Sequence, residues 1–135
     1  MLEAEPAAEV LVADAHGPYR NILPEDLDRR ARLIRGKPRE LGILAGLQAG
    51  AHAAMFVGYH ARAGVGGAVL AHTMAEAVLD VRINGASHGE IGINTLLAGS
   101  YGVPVVLASG DDAAIVIWGC SHLLAGQGDV ILSGT

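Results

Sequence analysis

The sequence has almost no cysteine and no long apolar run. Among its 135 residues the single cysteine, Cys120, has no partner within the chain for a disulfide, and this cysteine usage is typical of a reducing compartment. We therefore expect a cytoplasmic location. No apolar run approaches the roughly 20 residues that a membrane-spanning helix requires, and no positively charged start precedes an apolar signal segment. The sequence predicts a soluble protein without a membrane partner.

Basic charge is scarce as well. Nine Lys and Arg residues stand against fourteen Asp and Glu, and the net charge of −5 excludes a global basic field that could hold nucleic acid. Seven of the nine basic residues lie between positions 20 and 39, with Glu25, Asp26 and Asp28 among them and Glu40 directly after them. This segment is either a local basic patch or a solvated face held by salt bridges. We expect no nucleic-acid partner.

Apolar residues are abundant by contrast. They make up 51% of the chain while charged residues make up 17%, and the mean hydropathy is +0.39. Such a composition excludes a disordered or coiled-coil chain. The length allows one domain with a real core. Nineteen glycines are scattered among the apolar segments and indicate frequent turns between short, buried elements.

Short apolar segments predict the strands. Runs that end in polar residues are typical of buried parallel strands, and they cover residues 9–15, 31–34, 53–59 and 103–108. A further segment, residues 78–83, alternates apolar and charged residues and predicts a half-exposed or edge strand. The dipeptide Asn84-Gly85 follows it and predicts a turn.

Two helices are predicted between the strands. Pro24 predicts a helical first turn early in the chain. Further along, Pro38 begins the first predicted helix, over residues 38–48. Ser87 precedes Glu90 by three residues, the capping-box arrangement, and predicts a second helix that ends at Gly102. Strands that alternate with helices predict an α/β fold, a parallel or mixed sheet flanked by helices, with functional residues at its carboxyl edge.

Four residues near the ends of apolar runs could meet at that edge: His16, His60, His72 and Glu90. Imidazole and carboxylate groups are ordinary zinc ligands. The separations, 44 residues from His16 to His60 and 30 from His60 to Glu90, match neither a zinc finger nor an HExxH motif. By themselves these residues indicate either a metal site or ordinary polar groups satisfied at strand ends.

His72 has a further possible role. It follows His60 by 12 residues across a glycine-rich loop, so the chain can return it to the same cavity. There it could act as a general acid or base near neutral pH, or it could simply be packed under the loop. Asp14 and Asn94 are candidates for supporting the ligands, because Asn94 lies one helical turn after Glu90 and Asp14 shortly precedes the first histidine.

Four segments together resemble the bacterial zinc-dependent D-aminopeptidases, the family of dipeptide-transport-operon type. The segments are VADAHG (12–17), FVGYHARAG (56–64), AHTM (71–74) and INGASHGEIGINTLLAGSYGVPVVLASGDD (83–112). Their order and spacing match that family from about residue 9 to residue 112, some three quarters of the chain. The combination of motifs is specific for this family: GYHA is followed by HSM or HTM, and then by N-G-x-x-x-G-E-x-G-x-N.

The resemblance implies a hydrolase, a metallopeptidase that removes amino-terminal D-residues from short peptides. Carried over residue by residue, it implies that His16, His60 and Glu90 are zinc ligands and that His72 is catalytic. Family members hold two zinc ions and assemble into a homo-oligomer, a ring-shaped decamer whose sites face an inner channel. In such a site the zinc ions can bind the free amino group and polarise the scissile carbonyl, while His72 shuttles protons or stabilises the tetrahedral intermediate.

The sequence departs from the family at both ends. The family's Asp-x-Glu ligand motif lies well upstream, whereas here 15 residues precede His16, and Glu3 and Glu5 lie too close to replace that motif. We therefore expect a truncated family fold. Its D-aminopeptidase-like α/β domain covers residues 1–112, without the family's amino-terminal strand, and a divergent tail covers residues 113–135. The remaining ligands predict one zinc ion or none.

Two functions are consistent with these residues. The first is zinc-dependent hydrolysis of amino-terminal D-residues, with activity impaired by the missing ligands. The alternative is a non-catalytic fragment that self-associates and binds at most one metal ion. Metal stoichiometry separates them, because the enzyme of the family type holds two ions per chain and the fragment holds one or none.

Overall fold

A computed structural model describes residues 2–115 and 132–133 of the chain. In this part the chain has an α/β fold with parallel strand pairs and few helices, which confirms the predicted fold class. It divides into two compact units, Met1–Ala51 and His52–Thr135. Among the described residues, no helix has the length and apolar character to cross a membrane.

The first unit is built on one pair of parallel strands. Strand β1 (Val10–Ala13) pairs with β2 (Ala31–Ile34), and the register runs from Val10 opposite Ala31 to Ala13 opposite Ile34. Both strands lie where the apolar runs predict them. The helical turn expected at Pro24 is a 3-10 helix of three residues, Pro24–Asp26.

The helix predicted over residues 38–48 is wrong. The structure has two short 3-10 helices there, Gly42–Leu44 and Leu47–Ala49. Leu41 and Gly46 interrupt the segment with φ values of 55° and 111°. A right-handed helix cannot continue through positive φ, so the proline that opens this segment starts a turn rather than a helix.

The second unit contains a parallel sheet in the order β3-β6-β7. Strand β3 (Ala54–Tyr59) pairs with β6 (Val105–Gly110), and β6 pairs with β7 (Leu132–Ser133). The third predicted strand is confirmed, and the fifth lies two residues later than predicted. Helix α1 (Glu90–Ser100) contacts both β3 and β6. The core of this unit includes the buried side chains of Phe56, Ile91, Val105 and Ala108.

The predicted strand over residues 78–83 is much shorter in the structure. Only β4 (Arg82–Ile83) is extended, and it pairs antiparallel with β5 (Ala86–Ser87). The predicted turn between them is confirmed, since Asn84 and Gly85 adopt φ values of 52° and 82°. Positive φ at both central residues is the geometry of a tight hairpin.

Ser87 is not the N-cap of α1, contrary to the capping-box prediction. It lies in β5 opposite Arg82, and the N-cap is Gly89. A Cβ atom at Gly89 would lie 2.7 Å from Cβ of Arg62. This close approach favours glycine at the start of the helix and brings Glu90 to its first position. The proposed tail over residues 113–135 lies outside the described residues except for 113–115 and 132–133.

Candidate metal centre

Three side chains of the second unit converge at the start of α1. His60 directly follows β3, His72 lies in the irregular segment after the glycine-rich loop, and Glu90 is the first residue of α1. One ligand atom from each residue lies within 4.8 Å of the others. Strand end, loop and helix start therefore each contribute one potential ligand.

The two imidazoles face the same carboxylate oxygen. Nε2 of His60 lies 3.0 Å from Oε2 of Glu90, and Nε2 of His72 lies 3.9 Å from it. The two rings stack with their centroids 3.6 Å apart and their planes 16° from parallel. Ligand atoms around a tetrahedral zinc ion with bonds of about 2.1 Å lie about 3.4 Å apart. The two observed distances bracket that value.

The other ring nitrogen of each histidine, Nδ1, forms a hydrogen bond with a backbone carbonyl. Nδ1 of His60 lies 3.1 Å from the Ala61 carbonyl oxygen, and Nδ1 of His72 lies 2.7 Å from the Leu70 carbonyl oxygen. A carbonyl only accepts, so each Nδ1 carries a proton, and each Nε2 faces the carboxylate, where it can hold a second proton or bind a metal ion. Either a proton or a metal cation can occupy the place between these Nε2 atoms and the carboxylate. Ligating histidines usually donate their other N–H in this way, so the donor set fits zinc.

The charges in the cluster also suit a cation. The hydrogen bond to Glu90 raises the pKa of His60, although burial opposes it. The same hydrogen bond from His60 lowers the pKa of Glu90, and the N–H of Met74 adds to this effect at 3.1 Å. Glu90 is therefore ionised at neutral pH. A proton on Nε2 of His60 and a metal ion compete for one place, so metal binding would release that proton.

Backbone hydrogen bonds fix the segment that carries His72. The N–H of His72 donates to the Ala61 carbonyl at 3.1 Å. Next to it, the buried hydroxyl of Thr73 accepts from the N–H of Ala63 at 3.1 Å. The segment is thus tied to the residues that directly follow His60, which explains how a residue 12 positions along the chain stacks on that ring.

His16 belongs to the first unit, in the loop after β1. The buried carboxylate of Asp14 organises this loop by accepting from the backbone N–H of Ile22 at 2.8 Å and from the side chain of Asn21 at 2.9 Å. The same Asn21 amide donates to the His16 carbonyl at 2.6 Å. Burial raises the pKa of Asp14, but these hydrogen bonds lower it overall. The membership of His16 in the metal site stays a prediction.

Asn94 lies among the buried residues of α1, and its amide donates to the Tyr59 hydroxyl at 3.2 Å. Tyr59 is the last residue of β3 and directly precedes His60. Asn94 therefore supports the strand end that carries His60. Its predicted support of Glu90 is a separate contact and stays a prediction.

Sequence reasoning missed Asp111 as a neighbour of the cluster. It directly follows β6, and β6 pairs in parallel with β3, so Asp111 stands beside His60. Both residues line an open groove of about 420 Å³, together with Val69 and Leu70. The signal was present in the sequence, because Asp111 is a polar residue at the end of a predicted strand, like the candidate ligands.

Comparison with known proteins gives three matches. The sequence model of peptidase family M55, D-aminopeptidase, matches residues 1–117. A D-aminopeptidase of Bacillus subtilis (strain 168) is 42% identical over 106 residues, which are 78% of this chain and 38% of the relative. The solved structure of the Zn-dependent D-aminopeptidase DppA from Bacillus subtilis, described as a self-compartmentalizing protease, matches with a TM-score of 0.81 and 37% identity, over 87% of this chain and 42% of that chain. The chain thus spans about two fifths of the length of these relatives.

Proposed function

Because this chain belongs to the D-aminopeptidase family M55, we propose that it is a zinc-dependent metallopeptidase that removes amino-terminal D-residues from short peptides. One observation supports this proposal most directly. His60 and His72 both direct Nε2 at one carboxylate oxygen of Glu90, with their Nδ1 atoms held by backbone carbonyls. That arrangement suits a divalent metal, and the related structure is zinc-dependent.

We assign zinc binding to His60 and Glu90, with His16 as the third protein ligand. The first two ligands are supported by their 3.0 Å contact, and the third by the family resemblance alone. Three protein ligands leave the fourth position of a tetrahedral site open for substrate or water. A site of this kind can therefore be catalytic rather than purely structural.

His72 has the catalytic role in this proposal. Zinc, when bound, supplies Lewis-acid polarisation of the scissile carbonyl and lowers the pKa of a water molecule. Nε2 of His72 is the atom that can accept a proton, because Nδ1 donates to the Leu70 carbonyl. Its longer distance to Glu90, 3.9 Å against 3.0 Å for His60, leaves it less firmly paired. It can take a proton from water and return it to the departing amine.

We further propose that each chain holds at most one zinc ion and that turnover is slow. Within residues 2–115 and 132–133, one group of three His, Cys, Asp or Glu side chains has its ligand atoms close enough to share an ion. It comprises His60 and Glu90, which we assign as ligands, and His72, which we assign as the catalytic residue beside them. A paired-metal route needs further carboxylates to hold a second ion. With one ion, part of the transition-state stabilisation is lost.

The first experiment measures zinc content and hydrolysis of D-alanyl and L-alanyl peptides by the same purified chain. We expect one zinc ion per chain and slow, D-specific, zinc-dependent hydrolysis. His60→Ala should lose zinc because it removes a ligand. His72→Ala should keep zinc and lose about 100-fold or more in kcat, the usual contribution of a general acid or base.

His52→Ala is the matched control, since His52 is an exposed histidine of the same unit. It should change neither zinc content nor turnover. Loss of zinc from the His72→Ala variant would make His72 a ligand rather than the catalyst. Hydrolysis that persists after zinc removal would contradict the proposed function itself.

The alternative is a non-catalytic protein that self-associates and binds at most one metal ion. Exposed apolar side chains of the second unit favour it, among them Val57 and Leu79, which are 77% and 80% exposed. Bound zinc without hydrolysis of any D-alanyl peptide would support this alternative. We also propose that the chain forms a homo-oligomer, since the related structure is described as self-compartmentalizing, and that it acts in the cytoplasm, as its cysteine usage suggests.

A further inference from the structure

The carboxylate of Asp111 joins three segments beside the metal cluster. Its position next to His60 follows from the register, in which Tyr59 lies opposite Gly110. Oδ1 of Asp111 accepts from the N–H of Ala114, and Oδ2 accepts from the N–H of Val69, each at 2.8 Å. Each oxygen therefore holds a different piece of backbone.

The bond to Ala114 has a local explanation. Residues 112–115 are helical, and an aspartate at the N-cap ordinarily accepts from an N–H in the first turn. The bond to Val69 has no such explanation, because Val69 lies 42 residues earlier and outside any helix or strand. Capping requires one oxygen of Asp111, and the second oxygen is engaged elsewhere.

The Val69 contact leads directly to His72. The residue after Val69 is Leu70, whose carbonyl accepts from Nδ1 of His72 at 2.7 Å. The side chains of Val69 and Leu70 are 77% and 69% exposed, so burial contributes little to holding this stretch. The hydrogen bond from the N–H of Val69 to Asp111 is therefore one of the main contacts that fix the Leu70 carbonyl, which in turn orients the His72 imidazole.

We propose that Asp111 is a positioning residue for His72. Through Val69 it holds the Leu70 carbonyl, which keeps the proton on Nδ1 of His72 and leaves Nε2 free to act as a base. This inference rests on the catalytic role proposed for His72. The hydrogen bond from Val69 is the main cause that lowers the pKa of Asp111, so both carboxylate oxygens are free of protons and able to accept at neutral pH.

The test uses Asp111→Asn in the full chain with one equivalent of zinc. The asparagine carbonyl can still accept from Ala114 and cap the helix, whereas its NH2 group cannot accept from Val69. Asp111→Ser is the second variant, because serine also caps well but is too short to span both contacts. Asp112→Asn removes the same charge at an exposed neighbour and is the matched control.

The main measurement is the tautomer of the His72 imidazole by nitrogen-15 NMR, which does not depend on turnover. We expect the Nδ1–H form in the wild type and in Asp112→Asn. Both Asp111 variants should show a mixture of tautomers for His72, with the midpoint of thermal unfolding and the zinc content unchanged. Where the wild type hydrolyses D-alanyl peptides, kcat should fall at least tenfold in both Asp111 variants while KM stays the same.

Unchanged His72 signals in both Asp111 variants would overturn the proposal. Equal changes in the signals of His52 and His72 would indicate general unfolding and would overturn it as well. A wild-type chain without hydrolysis would contradict the proposed function alone, since the tautomer measurement still decides whether Asp111 positions His72.

Discussion

At the scale of single residues, hydrogen bonds keep several carboxylates of this chain ionised. Burial raises the pKa of Asp14, yet the N–H donors of the following loop lower it overall. The pKa of Glu90 is lowered mainly by the hydrogen bond from His60, and that of Asp111 mainly by the N–H of Val69. An ionised carboxylate can only accept. Each of these side chains therefore holds N–H donors of other residues of its own unit in place.

Asp28 allows a direct test of this effect. A side-chain hydrogen bond from Arg30, 2.6 Å between Nη2 and Oδ2, lowers the pKa of Asp28 from 3.8 to about 2. Arg30→Met should raise that pKa toward 3.8 in a carbon-13 NMR titration. It should not reach 3.8, because the backbone N–H of residue 30 still donates at 2.9 Å. Arg29→Met, at an exposed neighbour, should leave the pKa of Asp28 unchanged.

The pH dependence of this pair follows from the sign of the shift. The pKa of Asp28 is lower in the folded state than its ordinary value of 3.8. The pair therefore stabilises the fold above pH 3.8, and the contribution is lost as the pH falls through about 2. Since both side chains are largely exposed, solvent screening keeps the effect on stability small. An unchanged Asp28 titration in the Arg30→Met variant would contradict this explanation.

At the scale of elements, the parallel pair β3 and β6 builds the site. Its register ends with Tyr59 opposite Gly110, so His60 and Asp111 leave the sheet side by side. Backbone contact at this point is very close, because a Cβ atom at Gly110 would lie 2.2 Å from the Tyr59 carbonyl oxygen. Glycine at position 110 is therefore a condition for the two strands to run together up to the site.

Gly110→Ala tests this condition. The added methyl group should push β6 away from β3 and lower the free energy of unfolding by about 1–3 kcal/mol, as overpacking usually does. Urea denaturation followed by circular dichroism measures the change. Gly66→Ala is the control, because a Cβ atom at Gly66 would meet nothing within 4 Å. Equal stability of the two variants would show that the strand contact is not tight.

At the scale of the whole molecule, several large apolar side chains are exposed to solvent. The net charge is only −5, and five large apolar side chains among the described residues of the second unit are more than half exposed: Val57, Val69, Leu70, Met74 and Leu79. Burial of one such side chain stabilises by about 1.5–3 kcal/mol. Isolated apolar side chains are normal on protein surfaces, but several within one unit favour association.

We predict that the chain self-associates when it is expressed alone. Sedimentation velocity should give a mass well above 13.8 kDa, and added salt should not dissociate the assembly because apolar contacts are not screened. Val57→Ser combined with Leu79→Ser should shift the distribution toward the monomer. Glu76→Ser, at an exposed polar position, is the control and should not. A monodisperse monomer of the wild type would contradict the prediction.

Local patterns were sufficient to locate β1, β2 and β3. The apolar runs before His16 and His60 predict β1 and β3, because a continuous run of buried side chains followed by a polar residue is a local signal. Local patterns failed where distant contacts decide the backbone. Ser87 pairs with Arg82 in a hairpin instead of capping α1, and positive φ at Leu41 and Gly46 divides the predicted helix.

The sequence by itself therefore determined the family and the α/β class, and it supplied the histidines and the carboxylate of the candidate site, since these depend on residue type and order. Only the tertiary structure decided that His60 and His72 stack and share one oxygen of Glu90. It also decided that Asp111 reaches Val69. These distances depend on strand register and on hydrogen bonds between residues 10 to 42 positions apart, and no local pattern of side chains specifies them.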